Sequence, residues 1–232
     1  MEKLFHEFLN WDVIKDLFPD ILTEGAKNTL VFTALSFVGA MAVGLVIALA
    51  RLSPRRLVRW PAASFADILR GLPATLTIVL IGFGIPIATG WRYPFAKYFP
   101  GCLALSLVGG SYISETIRAG IEAVPRGQME AARSLGLSRR AAMRLVILPQ
   151  AFRIIIPPLT NELVLLFKDT ALLAVLGTEA GGKELTKFAR DATNRTGNSS
   201  ALVAAGIVYL AITLPLLRLV SWLERRAKEG AR

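Results

Sequence analysis

The 232-residue chain has one cysteine, Cys102, and one histidine, His6. A lone thiol cannot close an intrachain disulfide, which excludes a disulfide-stapled secreted domain. The same scarcity leaves a His/Cys metal cluster or a histidine-based triad without the residues to build it. Acids are few as well: 17 Asp+Glu stand against 27 Lys+Arg, for a net charge of +10. Charge of either sign is missing from residues 28–50, 71–91, 98–114 and 196–217, stretches of 23, 21, 17 and 22 residues.

What remains is apolar. Hydrophobic residues make up 53% of the chain and the mean hydropathy is +0.51, which excludes a disordered chain and argues against an ordinary cytosolic enzyme. Each charge-free stretch is about long enough to cross a ~30 Å hydrocarbon layer at ~1.5 Å per residue. A fifth stretch, 154–177, is mostly apolar but interrupted by Pro157, Pro158, Asn161, Glu162, Lys168 and Asp169. It reads as a helix that is buried in protein or lines a water-filled cavity, with its prolines freeing backbone carbonyls and opening it. The expected fold is an all-α membrane protein with five transmembrane helices.

Residues 1–24 carry six acids and two lysines and have no apolar core, so they are not a cleavable signal peptide. Phe5, Phe8, Leu9, Val13, Leu17 and Ile21 recur at helical spacing, which predicts a short amphipathic helix on the membrane interface. Loop charge sets the orientation. Segments 51–60, 118–153 and 218–232 together hold 16 Lys+Arg, and the alternate set (the N-terminus, 92–97 and 179–195) holds 8. The positive-inside rule then predicts the N-terminus outside and the C-terminus in the cytoplasm. That topology accounts for the arginine pairs at 55–56, 139–140 and 225–226, so nucleic-acid binding is disfavoured.

The longest inside loop, 118–153, has internal punctuation. Pro125 and Gly127 open a short helix over 128–135, and Gly136 supplies a left-handed corner. Ser138 caps a second helix over 139–148, which Pro149 is expected to end. Glu115/Arg118 and Asp67/Arg70, each spaced i,i+3, are expected to pair locally at the membrane surface. Ala40 with Gly44, and Gly109 with Gly110, offer small-residue faces that serve helix contact or are ordinary intramembrane glycines.

Glu130-Ala131-Ala132 with Gly136, followed by Val146-Ile147-Leu148-Pro149, resembles the EAA loop of ATP-binding-cassette importer permeases. The resemblance narrows to permeases for polar amino acids through Arg70-Gly71-Leu72-Pro73, Phe83-Gly84-Ile85-Pro86, Val124-Pro125-Arg126-Gly127-Gln128, Pro157-Pro158-Leu159-Thr160-Asn161-Glu162 and Lys168-Asp169-Thr170. It runs from about residue 25 to 224, with Val146 and Ala171 as mild departures from the family pattern. It implies a type I ABC importer permease fold, divided into the N-terminal segment 1–24, a permease domain 25–224 with its coupling loop at about 122–150, and a cytoplasmic tail 225–232.

The resemblance further implies a transport subunit of the bacterial inner membrane rather than an enzyme. Its partners would be ATPase subunits, a second permease, an extracytoplasmic amino-acid-binding protein, an amino acid substrate and membrane lipid. No cofactor is expected on this chain, since ATP and magnesium belong to the ATPase. The coupling residues implied are Gly127, Glu130, Ala131, Ala132, Gly136 and Pro149. Ala131 and Ala132 would let backbones approach closely and Glu130 would meet a basic partner. Helix-forming alanines and a Glu130–Arg133 pair account for the same residues locally.

Candidates for the substrate path are Tyr112, Thr160, Asn161, Glu162, Lys168 and Asp169. A carboxylate at the depth of Glu162 costs ~2.5 kcal/mol or more on insertion scales and usually faces a cavity or partner. Two rivals remain. An ion-gradient-driven secondary transporter would also use a broken fourth helix, although no internal repeat is visible. A membrane nucleotidase would rest on residues 177–184, which nearly write a phosphate-binding loop but end on Glu184 where a hydroxyl is needed.

Overall fold

The computed structural model describes residues 6–95, 98–177 and 182–229, and no strand occurs among them. Helix α1 (Trp11–Asp20) is opened by Asn10, whose side chain accepts the backbone N–H groups of Asp12 and Val13, donors that a helix start otherwise leaves orphaned. A π-helical turn, Ile21–Ala26, leads into α2 (Lys27–Arg51), so that a 46-residue helical run spans His6–Arg51. The N-terminal helix is amphipathic but does not stand apart. Its face bearing Ile14 and Ile21 is buried with Leu185, Phe188 and Ala189 of the same chain, while Asp12, Asp16 and Asp20 stay exposed. Asn10 N–H donates to Ser200 Oγ at 2.8 Å, and Asn198 Nδ2 donates to the His6 carbonyl at 2.9 Å.

The second apolar stretch is not one straight helix. An unanticipated amphipathic helix, α3 (Arg56–Gly71), precedes it, and the chain bends by 106° between Arg56–Gly71 and Ala74–Thr89. Pro73 in the connection favours extended backbone before it, and Leu72 is extended. Beyond the bend come α4 (Ala74–Val79), a π-helical turn (Leu80–Gly84) and α5 (Ile85–Thr89). Among the described residues two helices are long and apolar enough to cross a membrane, His6–Arg51 and Ser200–Arg226, or three if the bent pair is one span.

Helix α6 (Phe99–Glu122) packs intimately on α2. A Cβ on Gly44 would lie 2.9 Å from the Gly110 carbonyl, and one on Gly110 would lie 3.1 Å from the Ala40 carbonyl. The small-residue faces therefore meet each other, letting the two backbones come close. The loop that follows contains α7 (Arg126–Ser134), α8 (Arg139–Ala142) and a π-helical turn, Met143–Ile147. Helix α9 (Leu148–Asp169) then continues into a 3-10 turn, Thr170–Leu176. It contains Pro157 and Pro158 and still runs unbroken over its 22 residues, so the expected opening at the prolines does not occur. Neighbouring helices hold it: Ile155 and Leu166 are buried with Ile113 and Ile117 of α6.

Helices α10 (Leu185–Thr196) and α11 (Ser200–Glu229) complete the fold. The phosphate-loop resemblance spans residues 177–184, of which 178–181 lie outside the described residues. Its last residue has a structural task. Glu184 is fully buried and caps α10, accepting Thr186 N–H at 2.7 Å, Lys187 N–H at 2.6 Å and the Tyr209 hydroxyl at 3.2 Å. Burial pushes the Glu184 carboxyl above its ordinary value, and the two backbone donors oppose that shift.

Candidate functional site

Two features carry the candidate site: the helical loop between α6 and α9, and a cavity beside α9. In the loop, α7 ends in a Schellman arrangement. Gly136 has φ +87°, its N–H donates to the Arg133 carbonyl at 3.0 Å, and Leu137 N–H reaches back to the Ala132 carbonyl at 3.2 Å. Only glycine adopts that left-handed backbone without steric cost. Ser138 Oγ then accepts Ala141 N–H at 3.2 Å and opens α8 as expected.

The stop expected at Pro149 is absent. Leu148 N–H bonds to the Met143 carbonyl, five residues back, and this π-type turn leads directly into α9, whose first turn contains Pro149. Residues 139–169 are thus helical throughout, and the outer edge of the loop is continuous with the helix that carries Glu162.

The implied coupling residues divide between the loop's surface and its interior. Gly127, Glu130, Ala131, Gly136 and Pro149 are exposed, whereas Ala132 is buried. Two alanines therefore do not share one contacting face: Ala132 belongs to the loop's own packing. Glu130 forms no ion pair with Arg133 or any other described residue. Leu135, beside the corner, is 84% exposed. Exposed side chains, a free carboxylate and a bare apolar residue make a surface that another protein can cover.

The cavity is about 280 Å³ and lies where the bend after α3, helix α6 and helix α9 meet. Leu72 and Ala74 come from the bend, Gly109 and Tyr112 from α6, and Glu162, Leu166 and Asp169 from α9. Glu162 and Asp169 are seven residues apart, two turns of one helix, and so share a face. Gly109 makes room: a Cβ there would lie 2.6 Å from Leu166 Cδ1. No basic residue lines the cavity among the described residues.

Of the six substrate-path candidates the fold thus brings Tyr112, Glu162 and Asp169 together. It does not bring Thr160, Asn161 or Lys168 to the cavity. Lys168 is exposed, and the Thr160 hydroxyl donates to the Ile156 carbonyl at 2.9 Å. Sequence reasoning missed Leu72, Ala74 and Gly109. The Gly71-Leu72-Pro73 turn was the available signal for the first two.

A third feature joins the loop to the cavity wall. Glu115, near the end of α6, pairs with Arg118 as expected, but also with Arg51 at 2.8 Å and Arg70 at 3.3 Å. Arg70 in turn holds Asp67 at 2.6 Å. The Arg118 hydrogen bond holds the Glu115 carboxyl below its ordinary range against the opposing effect of burial, with the Arg51 and Arg70 charges adding to it. Glu115 thereby ties the ends of α2 and α3 to α6, and α3 leads directly into Leu72.

Among the described residues the chain is helical without strands, and its apolar helices, its mostly apolar cavity holding two carboxylates and its exposed helical loop are the features of a membrane permease. This chain belongs to the family of binding-protein-dependent transport system inner membrane components, whose model matches residues 40–229. It is 34% identical over 213 residues to the arginine transport system permease protein ArtQ of Bacillus subtilis, covering 91% of this chain and 94% of that protein. It is 33% identical over 222 residues to the glutamine transport system permease protein GlnP of Escherichia coli, covering 94% and 98%.

Among solved structures, a crystal structure of an amino acid ABC transporter with histidines matches with a TM-score of 0.83 and 33% identity, over 92% of this chain and 96% of that one. An inward-facing methionine ABC transporter matches in fold, with a TM-score of 0.72 at 17% identity, over 89% and 96%. Membership makes the chain a transport subunit, with ATP hydrolysis in a separate subunit, and leaves no support for the secondary transporter or the nucleotidase.

Proposed function

We propose that the chain forms the membrane path of an ATP-driven importer for a polar amino acid. The observation that carries this reading is the cavity where Tyr112, Glu162 and Asp169 converge with no basic lining residue among those described. Every free amino acid has an ammonium group, and two carboxylates in an apolar wall are suited to receive it or a cationic side chain. Relatives whose names specify arginine and glutamine transport support the same substrate class.

In this reading the chain crosses the bilayer five times: the two long apolar helices and the bent 56–89 pair meet the length and apolarity of a span, and α6 and α9, less apolar and packed among them, supply the other two crossings. The N-terminus lies outside and the C-terminus inside, which puts the 122–150 loop in the cytoplasm. There Gly127, Glu130, Ala131 and Leu135 meet the ATPase, with Gly136 and Pro149 shaping the loop and Ala132 packing beneath it. A second permease, identical or homologous, completes the path, and an extracytoplasmic binding protein delivers the substrate. ATP and magnesium reside on the ATPase and none is bound by this chain. ATP binding closes the ATPase pair, the loop passes the movement into α9, and hydrolysis resets it.

The test is uptake into sealed vesicles containing the assembled importer. Uptake should require the ATPase, ATP on the loop side and the binding protein, and should survive an ionophore. Collapse with ionophore, or ATP turnover by the isolated chain, overturns the proposal. A reporter active only in the cytoplasm should work when fused after Arg232 and fail when inserted near Gly182. Activity at Gly182 overturns the orientation alone.

A further inference from the structure

The polar end of α11 carries a groove that the transport reading does not use. It is a shallow depression open to the outside, about 400 Å³ in volume and lined by residues of α11 alone: Leu214, Leu217, Arg218, Ser221, Trp222 and Arg225. These residues follow the spacing i, i+3, i+4, i+7, i+8, i+11, which is one stripe along a helix. The stripe is ordered by polarity. Leu214 and Leu217 close the charge-free stretch 196–217, Arg218 is the first charge after it, and Ser221, Trp222 and Arg225 follow.

From Leu217 to Arg225 the rise is ~12 Å at ~1.5 Å per residue, which carries the stripe out of the hydrocarbon and through the headgroup layer. Arg218 and Arg225 are exposed and form no ion pair among the described residues. Arg226 lies at the edge of the groove, its guanidinium 4.3 Å from the centre of the Trp222 ring. The Ser221 hydroxyl donates to the Leu217 carbonyl at 3.1 Å and presents its oxygen outward.

We infer that this groove binds one anionic phospholipid, with an acyl chain along Leu214 and Leu217 and the phosphate between Arg218 and Arg225. Guanidinium groups bond phosphate oxygens in forked pairs, and tryptophan settles at the interface between hydrocarbon and headgroup. The match of charge to charge, and of apolar to apolar at the same depths, selects a phospholipid over a soluble anion. An inorganic phosphate would meet the arginines and leave Leu214 and Leu217 unused. A protein surface would need an acid matched to both arginines.

The experiment reads Trp222 fluorescence in the assembled importer, taken as the difference from W222F so that other tryptophans cancel. Vesicles of phosphatidylcholine contain a fixed share of either brominated phosphatidylglycerol or brominated phosphatidylcholine. Quenching by the anionic lipid should be stronger, with an apparent preference of roughly fivefold per arginine, the weight of one basic residue near an anionic surface. The preference should vanish in R218Q/R225Q and persist at a reduced level in R218K/R225K, which keeps the charge, loses the forked geometry and guards against a folding artefact.

Inorganic phosphate added to phosphatidylcholine vesicles should leave the signal unchanged. Equal quenching by both lipids overturns the inference, because the groove then holds bulk lipid. Absence of quenching by either means protein covers the stripe and overturns it too, as does displacement of the lipid by inorganic phosphate.

Discussion

Arg70 Nη1 lies 3.3 Å from Glu115 Oε2, joining the last turn of α3 to the loop end of α6. The pair sits two residues before Leu72, the first residue of the bend that walls the cavity. Arg51 shares the same carboxylate oxygen at 2.8 Å, with its side chain only 11% exposed. Three helices thus converge on one acid. A network of this kind fixes geometry more than a lone surface pair does, since no member can leave without stranding another charge.

Replacing Glu115 by Gln leaves three arginines facing a neutral amide. The expected cost is about 2 kcal/mol, the scale of a hydrogen bond to a charged group, measured as a lowered midpoint of thermal unfolding of the assembled importer in detergent. The pH dependence follows from the lowered carboxyl. A depressed folded value gives stability that is present above the ordinary carboxylate range and lost as pH falls through the folded value. Acidification should therefore destabilise the wild type more than E115Q, and parallel pH profiles for the two would show that Glu115 adds nothing.

Gly136→Val should be inserted and expressed yet fail to couple. A left-handed residue with a branched Cβ costs roughly 1–2 kcal/mol, and at φ +87° the turn reorients Leu135 and the end of α7 to avoid it. Co-purification with the ATPase is the measurement. Wild-type retention together with wild-type uptake would remove this corner from the docking surface.

At the cavity, Glu162→Gln and Asp169→Asn keep size and remove charge. Each should weaken uptake or shift preference among neutral, acidic and basic amino acids by about tenfold, the effect of ~1.4 kcal/mol lost from a charge-assisted contact, with assembly retained. Competition uptake assays read the preference. Unchanged affinity and selectivity in both variants would leave the two carboxylates a structural role.

Gly44→Val tests the α2–α6 approach. The added Cβ would lie 2.7 Å from Ile113 Cγ2 as well as close to backbone. Overpacking of this kind typically costs 1–3 kcal/mol, about 2 here, read as a fall in thermal midpoint, while Gly71→Ala, with nothing within 4 Å of its Cβ, should shift it far less. Similar shifts for both would deny that the small-residue faces set the helix spacing.

The sequence by itself determined what is local. Charge-free stretches, the Gly136 corner, the Ser138 cap and the two i,i+3 ion pairs depend on residues within a few positions of each other, and their physics is complete at that range. The Glu130–Ala132 and Gly136–Pro149 pattern pointed to the family for the same reason. Only the tertiary structure decided the rest. Whether Ala132 faced a partner or its own loop, which of Tyr112, Asn161, Glu162 and Lys168 reached the cavity, and why Pro157 and Pro158 do not open α9 all depend on helices distant in the chain.

The α3 helix was hidden because Arg56, Arg59 and Pro61 interrupt its apolar pattern, and of its residues only Ala66 and Leu69 are buried by the folded chain. The Glu115 hub was hidden for a related reason. Its local partner Arg118 satisfied the sequence rule, while Arg51 and Arg70 arrive through folding, and electrostatic attraction acts on distance in space rather than on spacing along the chain.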